Sequence, residues 1–186
     1  MNEELPKLID DAKQIAEGAQ NTFGSLTNEQ LNWKPNAESW SVGQCFEHLI
    51  VINSSYFPLL EKLARGEYKP SLKERLPILP KFFGKLVINA VKPETERKLK
   101  ASPKFQPSSS AIDGDIIEKF VKHQQEIIEH IKNTAHLDLS KIVITSPVAS
   151  FVIYSLWDGY KIIVTHEQRH IAQARRVMEM SGFPNG

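Results

Sequence analysis

Four stretches of this chain place apolar residues at helical spacing, and almost nothing in it alternates as a half-buried strand would. In the first, Leu5, Leu8, Ile9, Ala12, Ile15, Ala16, Ala19 and Phe23 make one apolar face that Gly24 ends. The second runs through Cys45, His48, Leu49, Ile52, Tyr56, Leu60 and Leu63 to Gly66, with Pro58 inside it to kink or interrupt the helix. The third spans about Ile112 to Ala135 on Ile116, Phe120, Ile127 and Ile131. The last starts near Ser155 and runs to Ser181, with Gly182 and Pro184 behind it as stop signals. Thr27-Asn28-Glu29-Gln30 and Ser41-Val42-Gly43-Gln44 both carry the capping-box pattern, one predicting a short helical turn and the other the start of the second helix. Residues 67–110 are broken by Pro70, Pro77, Pro80, Pro93, Pro103 and Pro107, with room for one helix from about Lys81 to Val91. Ile142-Val143-Ile144 and Phe151-Val152-Ile153-Tyr154 read as extended, too little to build a sheet around. The prediction is an all-α chain, one domain over residues 1–186. It is a four-helix bundle with a Pro-rich insertion between the second and third long helices.

Charge and cysteine content narrow the chemistry. Lys plus Arg number 23 and Asp plus Glu 22, a net charge of +1, so no field exists to draw nucleic acid or an anionic membrane, and neither is expected as a partner. The start Met1-Asn2-Glu3-Glu4 is acidic and no apolar run exceeds four residues, which predicts neither a signal peptide nor a membrane span and a cytoplasmic location. A single cysteine, Cys45, excludes an internal disulfide and most cysteine-based zinc sites. Any metal here rests mainly on histidine or carboxylate.

His166-Glu167-Gln168-Arg169-His170 satisfies H-E-x-x-H on a predicted helix. The i,i+4 spacing sets both imidazoles on one face, and Ile163, Gln173 and Val177 share it, so the pair is aimed at the core. Two unpaired imidazoles are costly to bury, and a metal ion removes that cost. The motif suggests a zincin protease, but only 16 residues follow His170, and their one carboxylate, Glu179, lies more than two turns away on the same helix. In a helix Glu167 is rotated about 100° from the ligand face. The third ligand is therefore sought upstream, at His48, which stands on a stripe with Cys45, Leu49, Val51 and Ile52 read as core-facing. Three imidazoles suit zinc or nickel with one position left open.

Trp40-Ser41-Val42-Gly43-Gln44-Cys45-Phe46-Glu47-His48-Leu49, followed about 120 residues later by His166-x-x-x-His170-x-x-Gln173, resembles the DinB-like superfamily. The ending Arg169-His170-Ile171-Ala172-Gln173-Ala174-Arg175-Arg176-Val177 and Gly182-Phe183-Pro184 is similar to it as well, and residues 67–110 are the least typical part. The resemblance implies a four-helix bundle holding a divalent metal on one histidine of the second helix and two of the last, here His48, His166 and His170. Members diverge in function: some are thiol-dependent transferases, others are described as metal-dependent hydrolases or as damage-inducible proteins. The expectation is a metal-dependent enzyme acting on a small-molecule substrate, a thiol S-transferase with a low-molecular-weight thiol favoured over a hydrolase. The alternative is a non-catalytic metal-binding or stress-response bundle. The resemblance also suggests a homodimer, for which Phe82, Phe83 and Leu86 offer apolar surface.

Other residues are assigned more ordinary roles. Cys45 is read as a small buried hydrophobe rather than a fourth ligand. Gln173 and, less so, Glu47 are candidates to orient imidazoles. Trp33, Trp40 and Trp157 are candidates to line a ligand pocket, though Trp40, directly before a helix cap, reads rather as a packing staple. His123 and His130 share a face among Lys122, Gln124, Glu126 and Glu129 and are read as solvated, and neither they nor His136 is given a role. The basic segment 81–104 is read as a solvated surface insertion.

Overall fold

Each apolar stripe becomes a helix in a computed structural model that describes residues 4–75, 79–95, 102–108 and 111–185. Helix α1 (Leu5–Phe23) buries Leu8, Ala12, Ile15, Ala19 and Phe23, one residue per turn of its inner face. Thr27 caps α2 (Asn28–Asn32) and Ser41 caps α3 (Val42–Ser54), each through a complete capping box. The chain breaks at Ser55 and restarts as α4 (Phe57–Ala64). Pro58 sits in the first turn of that helix, where a missing N–H costs nothing, so it opens a new helix instead of bending an old one. Gly66, at φ +70°, ends α4 in the left-handed conformation that glycine tolerates best.

Helix α5 (Leu79–Ala90) lies inside the Pro-rich connection, and α6 (Ile116–Thr134) follows it. Strands β1 (Val143–Thr145) and β2 (Ile153–Ser155) pair antiparallel with Ile144 opposite Tyr154, a two-stranded hairpin. Ser155 then accepts from the Asp158 N–H at 3.0 Å and starts α7 (Leu156–Met178).

The core is assembled from α1, α3, α6 and α7. Helix α1 packs on α6 and α7, and α3 packs on the same two, so α1 lies diagonally across the bundle from α3 and α6 from α7. That arrangement makes α3 and α7 direct neighbours although about a hundred residues separate them. Phe46 and Leu49 of α3, Phe120 of α6 and Phe23 of α1 are fully buried at the centre, with Phe46 edge-on to both Phe23 and Phe120. Burial of each such side chain stabilises the fold by about 1.5–3 kcal/mol.

The connection between α4 and α6 is more than a surface insertion. Helix α5 packs on α7 and β2, and a Cβ on Gly84 would stand 2.5 Å from the Asp158 carboxylate, which would have to move to admit a side chain there. Part of the basic segment, including Arg97, Lys98 and Lys100, lies outside the described residues, as do Pro77, Ser109 and Ser110. Among the described residues no helix is long and apolar enough to cross a membrane.

Candidate metal centre

Because α3 and α7 are neighbours, the histidine stripe of one faces that of the other. His48 comes from the second turn of α3, His166 and His170 from adjacent turns of α7. The imidazole centroids lie 5.2 Å apart for His48 and His166, 4.7 Å for His48 and His170, and 4.5 Å for His166 and His170. One nitrogen from each ring falls within 4.8 Å of the other two. His48 and His170 are buried and His166 is half-buried.

The donor set fits a divalent ion. Nε2 of His166 and Nε2 of His170 are 3.1 Å apart, close to the roughly 3.3 Å edge of a tetrahedron with Zn–N bonds of about 2.0–2.1 Å. Nδ1 of His48 bonds the Phe105 carbonyl oxygen at 2.6 Å, which leaves Nε2 of that ring for the cluster. All three rings favour the neutral form that a metal requires. Burial lowers the pKa of His48, against the opposing pull of the Phe105 carbonyl. Burial and then the neighbouring His170, His48 and Arg169 hold His166 well below its usual range. Burial, reinforced by His48 and Arg169, pushes His170 down to about 3, with the Gln173 side chain one turn away acting in the opposite sense.

A family assignment follows from this geometry together with the sequence. A sequence model described as the DinB superfamily matches residues 13–174, most of the chain. The chain belongs to the DinB superfamily. It is also similar to a Bacillus subtilis (strain 168) protein titled "Uncharacterized protein YuaE", with 23% identity over 160 residues, 86% of this chain and 90% of the relative. No solved structure matches it.

The DinB bundle brings together the three histidines read from the sequence and separates the residues around them. Glu167 is turned away from the cluster. It is fully buried, and its Oε1 accepts from Nδ2 of Asn53 on α3 at 2.8 Å and from Nε2 of Gln124 on α6 at 2.5 Å. Burial raises its carboxyl to about 8, against those two hydrogen bonds. A zincin base would point at the metal. This carboxyl points into a polar trio inside the bundle.

Cys45 is 1% exposed and belongs to the apolar core, with burial pushing its thiol up to about 12. Glu47 accepts from the Ser108 N–H at 2.6 Å and does not join the cluster. Trp40 exceeds the staple role assigned to it: its ring stacks on His170 at 5.5 Å and 20° and tilts over His48 at 4.8 Å. Trp33 packs edge-on against Phe183, and Lys161 lies over Trp157.

Two expectations are corrected. His123 is not solvated: it is 4% exposed, with Nδ1 3.4 Å from the Glu126 carboxylate and Phe57 of α4 stacked on its ring at 5.0 Å. His130 is half-buried against the same Phe57 at 4.4 Å, so the two imidazoles flank one phenyl ring at the α4–α6 contact. Of the charged residues beside them in sequence, Lys122 and Glu129 are exposed, while the Glu126 carboxylate turns back onto His123. The basic segment 81–104 likewise is not merely a solvated surface insertion, since α5 at its start packs on α7 and β2, and just beyond it Phe105 supplies its carbonyl to His48. No sequence signal marks a backbone acceptor.

Proposed function

We propose that His48, His166 and His170 hold one divalent ion, zinc or nickel, at a site with an open coordination position. On this reading the protein is a metal-dependent enzyme of the DinB type, transferring a group of a small molecule to or from a low-molecular-weight thiol. One observation carries the proposal: three neutral imidazoles converge from two helices, and among the described residues no fourth histidine, cysteine or carboxylate joins them. A structural site closes with a fourth protein ligand, and a catalytic one keeps that position free. Cys45, the soft candidate for closure, sits in the apolar core outside the cluster.

A divalent ion in this place supplies a Lewis acid that holds a thiol as thiolate or acidifies a bound water. The chain's own residues do the rest. The Phe105 carbonyl fixes the direction of His48, and Trp40 covers the rings of His48 and His170 and shields them from water on that side. Both carboxylates adjacent in sequence to ligand histidines are engaged elsewhere, Glu167 with Asn53 and Gln124, and Glu47 with Ser108. Water activation for hydrolysis calls for such a base, whereas a thiol transfer needs less proton handling. That is the reason to rank transferase above hydrolase.

The test joins metal analysis to a conjugation screen. The wild-type protein is expected to bind one equivalent of zinc or nickel, and the His166→Ala, His170→Ala double variant to lose it. The loaded protein should consume electrophiles in the presence of one of a panel of small thiols. Equal metal content in the double variant would overturn the site. A metal-loaded protein that is silent with every thiol but hydrolyses esters or amides would overturn the transferase ranking.

A further inference from the structure

His48 enters the cluster with one ring nitrogen already committed. Nδ1 lies 2.6 Å from the carbonyl oxygen of Phe105, a contact that only an N–H can satisfy, so the proton resides on Nδ1 and Nε2 keeps its lone pair. The acceptor belongs to the connection between α4 and α6, not to the bundle. Phe105 ends a single 3-10 turn (Pro103–Phe105), and its N–H bonds the Ser102 carbonyl at 2.8 Å. Its side chain is 3% exposed. Three residues on, the Ser108 N–H donates to the Glu47 carboxylate at 2.6 Å, and Nε2 of Gln44 donates to the Ser108 carbonyl at 2.7 Å. Gln44, Glu47 and His48 lie at positions i, i+3 and i+4 of α3, one face, and this short segment takes a hydrogen bond from or to each of them. The other ligand helix grips the same connection further back: Nη1 of Arg169, which lies between His166 and His170, donates to the carbonyls of Lys92 at 2.8 Å and Thr95 at 3.0 Å.

We infer that the segment 102–108 is a built part of the metal centre and that Phe105 is its positioning residue: the buried ring anchors the turn whose carbonyl sets the tautomer and direction of His48. The inference deepens the three-histidine reading above and rests on it. Its physical basis is that a ligand imidazole whose far N–H is held by a fixed acceptor is both pre-oriented and more basic, and loss of such a partner typically costs ~10–100-fold in metal affinity.

Nitrogen-15 spectra of the imidazoles in the metal-free wild-type protein test the tautomer directly, and they do not depend on activity. The expected result is a single Nδ1–H form of His48 with a slowly exchanging proton. An Nε2–H form, or a mixture of the two, overturns the inference. Phe105→Ala should give that mixture and bind zinc ~10–100-fold more weakly in a chelator competition, while Phe105→Leu, which keeps an apolar anchor, should stay within about threefold of wild type. A folded Phe105→Ala protein with wild-type tautomer and zinc affinity overturns it too. If Phe105→Ala does not fold, the wild-type spectrum decides alone. Zinc that leaves the resonances of all three histidines unmoved defeats the metal reading, and the tautomer still judges the grip of Phe105.

Discussion

Replacing Glu167 by Gln should make this protein more stable, and by an amount that grows with pH. The carboxyl is fully buried among Asn53, Gln124 and the surrounding core, and burial raises its pKa from 4.5 to about 8. Between those two values the folded state holds a proton that the unfolded state has released, so stability falls as pH rises through the window. One pKa unit corresponds to about 1.4 kcal/mol, so the full shift amounts to roughly 5 kcal/mol, with ~3–4 kcal/mol of it lost between pH 5 and pH 8. Glutamine has no proton to lose. Its carbonyl can take over the Asn53 and Gln124 bonds, and its amide can donate to Oε1 of Gln124, which is buried without a partner. Urea unfolding of both proteins with chelator present, at matched pH values from 5 to 9, checks this. The difference between the two cancels the titration of His48, His166 and His170. The variant should gain on the parent by several kcal/mol across the range, levelling off above pH 8. A difference independent of pH would refute the reasoning and mean that Glu167 is ionised in the fold at neutral pH.

The same Glu167→Gln protein should keep its metal and change any activity less than tenfold, under ~1.4 kcal/mol of barrier, whereas His48→Ala should lose both together. Metal analysis and initial rates distinguish this from a zincin pattern, in which the glutamate variant alone goes silent. Below the ordinary histidine range the fold should weaken, because burial lowers the pKa of both His123 and His130 and the unfolded chain takes up protons first. Acid unfolding of a His123→Phe variant should begin at lower pH than that of the parent. Cys45 should resist alkylation in the native protein and react at the ordinary thiol rate only in denaturant, since the thiol is buried with its pKa raised to about 12. We also propose a homodimer through the outer face of α5, where Phe82 is 61% and Leu86 52% exposed while Phe83 is turned partly inward. Light scattering at high micromolar concentration should report twice the chain mass, and Phe82→Ser should halve it.

The three histidines were legible because their signal is local. Helical spacing alone places His166 and His170 on one face beside Ile163 and Val177, and the stripe through Cys45 and Leu49 places His48 on another. The direction of Glu167 followed from the same rotation. Its destination did not, because Asn53 and Gln124 come from two other helices and nothing in the sequence around 167 names them. The burial of His123 is hidden from the sequence for the same reason. Its neighbours in sequence are charged, but the residue that covers it, Phe57, belongs to α4.

By itself, then, the sequence determined the helices, the caps at Thr27, Ser41 and Ser155, the break that Pro58 makes and the faces on which the imidazoles stand. Each of these depends on residues within one or two turns of one another, where propensity, capping and periodicity act. The tertiary structure decided that α3 and α7 are neighbours while α1 and α3 face each other across a diagonal, that Trp40 lies on the rings of His48 and His170, and that the Pro-rich connection turns back to place the Phe105 carbonyl on His48. Such contacts join residues tens to more than a hundred positions apart. They arise from burying several apolar faces at once, and that burial is a property of the whole bundle rather than of any segment in it.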